Sequence, residues 1–291
     1  PLALKYGHEL LHREPWHTFA DPALRSGEWE DERFWMWYTA FGRLGYRVDT
    51  DPDVWMRQFR SRFGADAAAP IERTLRAASK IIPFITTIHM PVHPSLRYWT
   101  EMSTGYPLFN EHRTDGRKSY DFHKEITYGS TEPSDHALFY GIDEFAEDEA
   151  NGDLKGKYSP LQSAVFLSRF ADEAEQGLSA ARAAGGNDAD PEFLALQADV
   201  KLLVHMARYH VWKIRSAYAL AKYRQTGDPS RLSDALSLLD QAATHWRSLS
   251  ELGLSVYHHD LEFSSAGTQT RHGPWRDLYP EIEADRRTLA D

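Results

Sequence analysis

Three long segments in the second half of the chain show the clearest pattern, with apolar residues recurring every three or four positions. Each begins with a helix-capping residue followed by proline: Ser159-Pro160, Asp190-Pro191 and Asp228-Pro229. Glycines follow the first two, at Gly185-Gly186 and at Gly227. These signals predict three amphipathic helices, because proline fits the first helical position and glycine the position after the last. The middle helix would have about 34 residues and span roughly 50 Å. The short links favour antiparallel neighbours.

Shorter helices rich in aromatic residues are predicted in the first half, where residues 29–64 contain four of the nine tryptophans. The predicted helix ends are Gly42, Gly45 and Gly64. Asp51-Pro52 is typical of a helix start between them. In the helix that follows, Trp55, Phe59 and Phe63 are spaced four residues apart and share one face. We expect this face to form a buried aromatic cluster against which later helices pack.

Other segments also favour helices. Residues 65–90 are predicted to form a third helix that Pro83 kinks or interrupts. A short acidic helix at 142–149 and a final helix at 275–289 complete the pattern. No stretch alternates strands with helices, so the sequence predicts a mainly α fold. This would be a multi-helix domain with long antiparallel helices and one long irregular aromatic loop.

The size of the chain allows one large hydrophobic core, because it has 291 residues of which 42% are hydrophobic. We therefore expect a single mainly helical domain over residues 1–291. Its first sub-region, 1–135, would hold the aromatic helices and the loop, and its second, 136–291, the long-helix bundle. Trp55 and Leu203 are expected at fully packed positions in this core.

The irregular stretch from residue 89 to 131 combines proline, glycine, aromatic and polar residues without sustained periodicity. A loop this long in a compact domain is usually functional or disordered, and its aromatic content argues against disorder. Rings beside carboxylates and histidines suit a sugar-binding cleft, where a ring stacks on the apolar face of a pyranose. The candidate substrate-binding residues are His89, His93, Tyr98, Trp99, Glu101 and Tyr106. The alternative is that these rings only cap the aromatic cluster.

Composition excludes several classes of partner. The net charge is −10 and no basic cluster is long enough to form a phosphate-binding face, so nucleic acid is not an expected partner. No apolar run approaches the roughly 20 residues that a membrane helix needs, and the chain has no cysteine for disulfides or thiolate metal sites. We expect a soluble protein without a cofactor, and a periplasmic or secreted location is allowed. The first residues are unlike a signal peptide, and the missing initiator methionine suggests a piece of a longer protein.

A zinc-binding pattern occurs near the start of the chain. His8 and His12 lie one helical turn apart with Glu9 between them, as in zinc peptidases that use the glutamate as general base. A third ligand could come from Glu28, Glu30 or Glu32. Pro15 would stop this helix early, and only seven residues precede His8, too few for the strands that support such sites. We therefore predict no metal here and keep a zinc peptidase using His8, His12 and Glu32 as an alternative.

Other histidines are predicted to be structural. His205 and His210 lie five residues apart on the long middle helix and so point in different directions. Joint metal ligation by this pair is therefore not expected.

Several segments carry a family resemblance: WMWYTAFGRLGY, DPDVWMRQFRSRFG, AASKIIPFITTIHMP, YWTEMSTG and YSPLQSAVFL, followed by the long helix. Together they resemble the helical C-terminal region of large bacterial polysaccharide-degrading proteins. These include α-glucuronidase-like and hexosaminidase-like glycoside hydrolases. The resemblance implies that a barrel of alternating strands and helices precedes this region in the parent protein. That barrel, which would carry the catalytic carboxylates, is absent from this sequence.

The leading hypothesis is therefore a helical C-terminal domain of a carbohydrate-active enzyme, in which the loop contributes to a glycan cleft. Its expected partners are carbohydrate and an upstream barrel domain of the same parent protein. Two alternatives remain open. One is the zinc metallopeptidase, and the other is a non-catalytic helical module that binds a protein partner.

Overall fold

A computed structural model describes residues 18–89, 100, 103–109, 127–259, 262–265, 269–272 and 275–291. In these residues the fold is mainly α, as predicted. The helices are α1 (Trp35–Tyr46), α2 (Asp53–Phe63), α3 (Ala65–Ala78), α4 (Ile81–Ile88), α5 (Ile142–Asn151), α6 (Pro160–Ala183), α7 (Pro191–Thr226), α8 (Pro229–Val256) and α9 (Tyr279–Ala290). Short 3-10 helices lie at Pro22–Leu24, Glu30–Phe34 and Trp275–Leu278.

The three long helices begin where the sequence predicts, and the predicted caps form. The side chain of Ser159 accepts a hydrogen bond from the backbone N–H of Gln162 at the start of α6. Asp190 and Asp228 cap α7 and α8 in the same way. Gly227 ends α7 with a left-handed φ of 67°, a conformation that costs other residues energy because of their Cβ atoms.

Helix α7 is the centre of the fold. Its 36 residues pack against both α6 and α8, and side chains on several of its faces are buried, among them Val200, Leu202 and Tyr209. Such a helix belongs in a core, since only burial on several sides removes all its apolar surface from water. Helix α3 also packs against α6, where Gly177 of α6 permits close approach. A Cβ atom there would lie 2.4 Å from Oγ1 of Thr74.

Two predicted boundaries in the first half were wrong. Helix α1 continues through Gly42 and Gly45 to Tyr46; a glycine inside a helix costs only about 1 kcal/mol and does not by itself end it. The predicted helix over residues 65–90 is divided at Ser79 and Lys80, ahead of Pro83. Pro83 is the third residue of α4, where the absent N–H would have no intrahelical partner in any case.

The aromatic cluster is smaller than predicted. Phe59 is fully buried and meets the ring of Trp35 edge to face, with 5.0 Å between ring centroids. Trp55 and Phe63 are only partly buried. Leu203, expected to be fully packed, is also only partly buried, because it borders an open space beside α1. The largest buried side chains lie instead around α7 and α8, with Trp246 at 0% exposure.

The chain after α8 contains an element that the sequence analysis missed. Strands β1 (Glu262–Ser265) and β2 (Gln269–His272) pair antiparallel, with Glu262 opposite His272. Four residues per strand are too few for a recognisable alternation of apolar and polar positions.

None of the described helices is long and apolar enough to cross a membrane.

The buried position of Trp246 predicts a large stability effect. Its indole N–H donates to the carbonyl of Trp275 at 2.9 Å, and its ring lies 4.7 Å from that of Tyr209. We expect Trp246→Ala to lower the free energy of unfolding by about 4 kcal/mol, as other large-to-small core changes do. Trp37→Ala removes the same side chain from a position that is 48% exposed, and it should cost less than about 1 kcal/mol. Equal urea midpoints for the two variants would contradict the placement of the core.

Candidate functional site

The structure describes two of the six candidate residues in the loop. His89 and Tyr106 are 2% and 4% exposed, so both are buried. The other four, His93, Tyr98, Trp99 and Glu101, lie outside the described residues. Of the alternative zinc ligands, His8 and His12 also lie outside them. Glu32 is described, and its carboxylate accepts a hydrogen bond from the backbone N–H of Trp29 at 3.1 Å. No group of three potential metal-binding side chains occurs in the part of the chain that the structure describes.

His89 follows α4 and belongs to a stack of buried rings. Its imidazole lies on the ring of Tyr128, with 3.9 Å between centroids. The hydroxyl of Tyr128 is hydrogen-bonded to Nδ1 of His210 on α7 at 2.9 Å. The first residue after α4 is thereby connected to the middle of α7 through one tyrosine.

Lys213 lies on the same side of α7, three residues beyond His210, and is fully buried. Its ammonium donates to the carbonyl of Thr104 at 3.0 Å and to the hydroxyl of Tyr209 at 2.9 Å. It also lies 4.7 Å from the centre of the Tyr128 ring, within range of a cation–π contact. The Tyr209 hydroxyl donates to the same Thr104 carbonyl at 2.8 Å. One backbone carbonyl of the loop therefore receives two hydrogen bonds from α7.

Two carboxylates on α9 form hydrogen bonds with residues 104, 108 and 109 of the loop. Glu281 accepts a hydrogen bond from the hydroxyl of Thr104 at 2.5 Å. Asp285, which is fully buried, accepts from the backbone N–H groups of Leu108 at 2.8 Å and Phe109 at 3.3 Å. Residues 103–109 are thus fixed between α7 and α9. We call this set the loop anchor: His89, Thr104, Tyr128, Tyr209, His210, Lys213, Glu281 and Asp285.

Gly105 is required where the loop passes these rings. Its φ is 77°, in the left-handed region that glycine adopts without strain. A Cβ atom there would lie 2.6 Å from the ring of Tyr128 and 2.9 Å from Nε2 of His89. Any other residue at this position would displace the stacked rings.

Burial determines the charge states in the loop anchor. It lowers the pKa of Lys213 to about 8, although the carboxylates of Asp285 and Glu281 favour the charged form. Burial together with the Lys213 ammonium lowers the pKa of His210 to about 3. The pKa of His89 is also well below its usual value, mainly because of burial. At neutral pH the lysine is therefore charged and both imidazoles are neutral. The Nε2 atoms of His89 and His210 are buried and have no hydrogen-bond partner among the residues that the structure describes.

The contacts of the loop anchor indicate a structural role. Its lysine and carboxylates are used in hydrogen bonds to the chain itself, and all the histidine, tyrosine and lysine side chains are buried. A general acid or base must reach a substrate atom directly or through one water, and these groups are enclosed. The loop anchor instead joins the residues on either side of the segment 90–126, because the ring of His89 stacks on that of Tyr128. The backbone N–H of Tyr128 also donates to the carbonyl of Pro107 at 2.8 Å.

Most residues of the loop anchor were not found from the sequence. Lys213 and Tyr209 are polar residues inside an apolar helix, and that mismatch is the signal that could have pointed to them. Glu281 and Asp285 resemble ordinary surface acids in the sequence. His205 and His210, which the sequence predicts to point in different directions, have different partners in the structure. His205 contacts His245 on α8, with 3.3 Å between Nδ1 atoms, whereas His210 faces Tyr128.

The sequence matches no protein-family profile and no curated protein. Its fold is similar to part of a solved structure, which is described as a GH138 enzyme targeting pectin rhamnogalacturonan II. The TM-score is 0.74 at 18% sequence identity over 95% of this chain. The chain spans 40% of the length of that neighbour. The helical fold described here therefore also occurs within a glycoside hydrolase.

The lowered pKa of Lys213 predicts a stability change at alkaline pH. Between about pH 8 and the ordinary lysine value of 10.5, the unfolded chain binds a proton that the folded chain does not. The free energy of unfolding should rise with pH across this window, by about 3 kcal/mol in total. Denaturation of wild type and Lys213→Met between pH 7 and 11 measures this, and the variant should lack the rise.

Lys201→Met is the matched control, because Lys201 is an exposed lysine on the same helix. This control should retain the rise. Parallel pH profiles for wild type and Lys213→Met would contradict the charge state assigned to the buried lysine.

Proposed function

We propose that this chain is a helical domain of a carbohydrate-active enzyme, a glycoside hydrolase that acts on polysaccharide or oligosaccharide. The observation that carries the proposal is the similarity of fold to the GH138 enzyme, which extends over 95% of the chain. The family resemblance of the helical segments points independently to the same class of protein. Fold alone does not define an activity, so the proposal depends on a site and on its test.

The proposed site is the loop that the loop anchor supports. Binding sites are often carried on loops that a rigid scaffold positions, and the hydrogen bonds from α7 and α9 provide such a scaffold. Because His89 and Tyr106 are buried, we give them a supporting role. The residues proposed to contact sugar directly are His93, Tyr98, Trp99 and Glu101. The two rings would stack on a pyranose, and the carboxylate would accept hydroxyl hydrogen bonds.

The description of the structural neighbour suggests the first class of ligand to test. The GH138 enzyme is described as targeting pectin rhamnogalacturonan II, so we propose a pectic oligosaccharide as the substrate class for this chain. A polysaccharide substrate is consistent with a periplasmic or secreted location. The same proposal places this domain at the C-terminal end of its parent protein. Its partner there would be an adjoining barrel domain, which would carry the catalytic carboxylates.

A protein-interaction module remains the second candidate, because one observation favours it. Helix α1 has no buried side chain, and it exposes Trp37, Phe41 and Tyr46 to solvent. Exposed apolar surface of this kind is typical of contacts with another protein or domain. The zinc peptidase has no comparable support, since Glu32 is already used by the backbone of Trp29.

Titration calorimetry with pectic oligosaccharides tests the glycan proposal. We expect Trp99→Ala to weaken binding by at least about tenfold, which corresponds to about 1.4 kcal/mol, and to leave the Tm within about two degrees. Trp37→Ala, which removes an exposed tryptophan outside the loop, should bind like wild type. If no oligosaccharide binds the wild type, or if Trp99→Ala unfolds the protein, the loop is part of the core and the proposal fails.

A further inference from the structure

Beside helix α1 lies a cavity of about 430 Å³ that the glycan proposal does not involve. Its walls come from α1, α2, α3 and α7 and are mainly apolar; among the lining side chains are Trp35, Met36, Trp55, Leu75, Leu203 and Met206. The loop anchor lies elsewhere, since none of its residues lines this cavity. The cavity also explains why α1 buries no side chain, because the helix faces open space instead of a packed core.

The charged groups around the cavity already have partners. The guanidinium of Arg33 is 2.6 Å from the carboxylate of Asp199. Glu192 accepts hydrogen bonds from the indole N–H of Trp35 at 2.6 Å and from Arg62 at 2.8 Å. An ionised ligand would have to disrupt one of these pairs to find a counter-charge. A neutral ligand leaves both intact.

A third ion pair at the cavity wall also disfavours an ionised ligand. Arg76 and Glu72 lie 3.5 Å apart on α3. A sugar would also be poorly accommodated among the apolar walls, because each hydroxyl that loses water needs a hydrogen-bond partner. Charge and polarity therefore select a neutral, largely apolar molecule.

The volume of the cavity limits the size of the ligand. An apolar cavity of about 150 Å³ holds one benzene ring, so a volume of about 430 Å³ accommodates roughly three six-membered rings. A molecule that fills this volume gains dispersion contacts with the apolar walls. The aromatic side chains Trp35, Trp55 and Trp275 at the walls suit a ligand that is itself aromatic.

We propose that this cavity is a binding site for a neutral, largely apolar aromatic small molecule, with α1 as one wall. The proposal is independent of glycan binding. The occupant lies between helices, so it is distinct from a protein partner on the outer side of α1. Phe41 and Tyr46 represent that outer side, because both are highly exposed and neither lines the cavity.

N-phenyl-1-naphthylamine is a suitable probe because it is uncharged, contains three six-membered rings and fluoresces strongly in apolar surroundings. We expect saturable binding of one probe per chain, accompanied by energy transfer from the tryptophans at the walls. Saturating probe should also raise the Tm by a few degrees, since a ligand that binds only the folded state stabilises it.

Two variants locate the bound probe. Leu203→Trp enlarges a side chain that lines the cavity and should weaken binding at least tenfold. Ala40→Phe fills the cavity from α1 and is the second test if Leu203→Trp does not fold. Phe41→Ser changes a residue that is 71% exposed on the outer side of α1, and it should bind the probe like wild type.

Different outcomes would overturn the proposal. Absence of saturation in the wild type would mean that the cavity takes no such ligand. Loss of probe binding in Phe41→Ser, with binding retained in Leu203→Trp or Ala40→Phe, would place the probe on the outer surface. If light scattering also shows a wild-type dimer that Phe41→Ser dissociates, α1 contacts a second copy of the chain instead.

Discussion

A buried ammonium group in the middle of α7 constrains the rest of the structure. Lys213 has no access to water, and an unpaired charge in such a place would cost several kcal/mol. Its hydrogen bonds to Thr104 and Tyr209, and the nearby carboxylates of Glu281 and Asp285, offset that cost. The charge is therefore tolerated only while α7, α9 and the loop keep their relative positions.

This constraint connects distant parts of the chain. Thr104 contacts α7 more than 100 residues later in the sequence, and its hydroxyl reaches α9 across 177 positions. The long helices form the frame, because α6 and α8 hold α7 from both sides. The loop anchor then connects the irregular segment to that frame. A loop held in this way can present side chains in a fixed arrangement, which is the physical basis for proposing that it binds a ligand.

The sequence predicted the frame much better than the loop anchor, and the reason is the range of the interactions involved. Caps such as Ser159 and Asp190 act on residues two or three positions away, so their effect can be recognised locally. Lys213 and Asp285 acquire their roles only when remote segments meet, and no local pattern marks them. His89 was recognised as a candidate, but its burial depends on Tyr128 and α7.

The boundary errors have a related physical origin. The glycines in α1 permit a helix end without requiring one, and hydrogen bonding along the helix continues to Tyr46. The cavity beside α1 arises from the packing distances between four helices, which periodicity does not encode. Trp55 and Leu203 therefore looked like core residues, although the structure gives each of them an open side.

Hydrogen exchange at the amide of Leu108 tests the central claim, that α7 and α9 fix the loop. In the wild type this amide donates to Asp285, so its exchange should be slow, close to that of amides in the middle of α7. Asp285→Ala should accelerate exchange across residues 103–109 and leave the amides of α6 unchanged. Rapid exchange at Leu108 in the wild type, or no difference between wild type and variant, would contradict the claim.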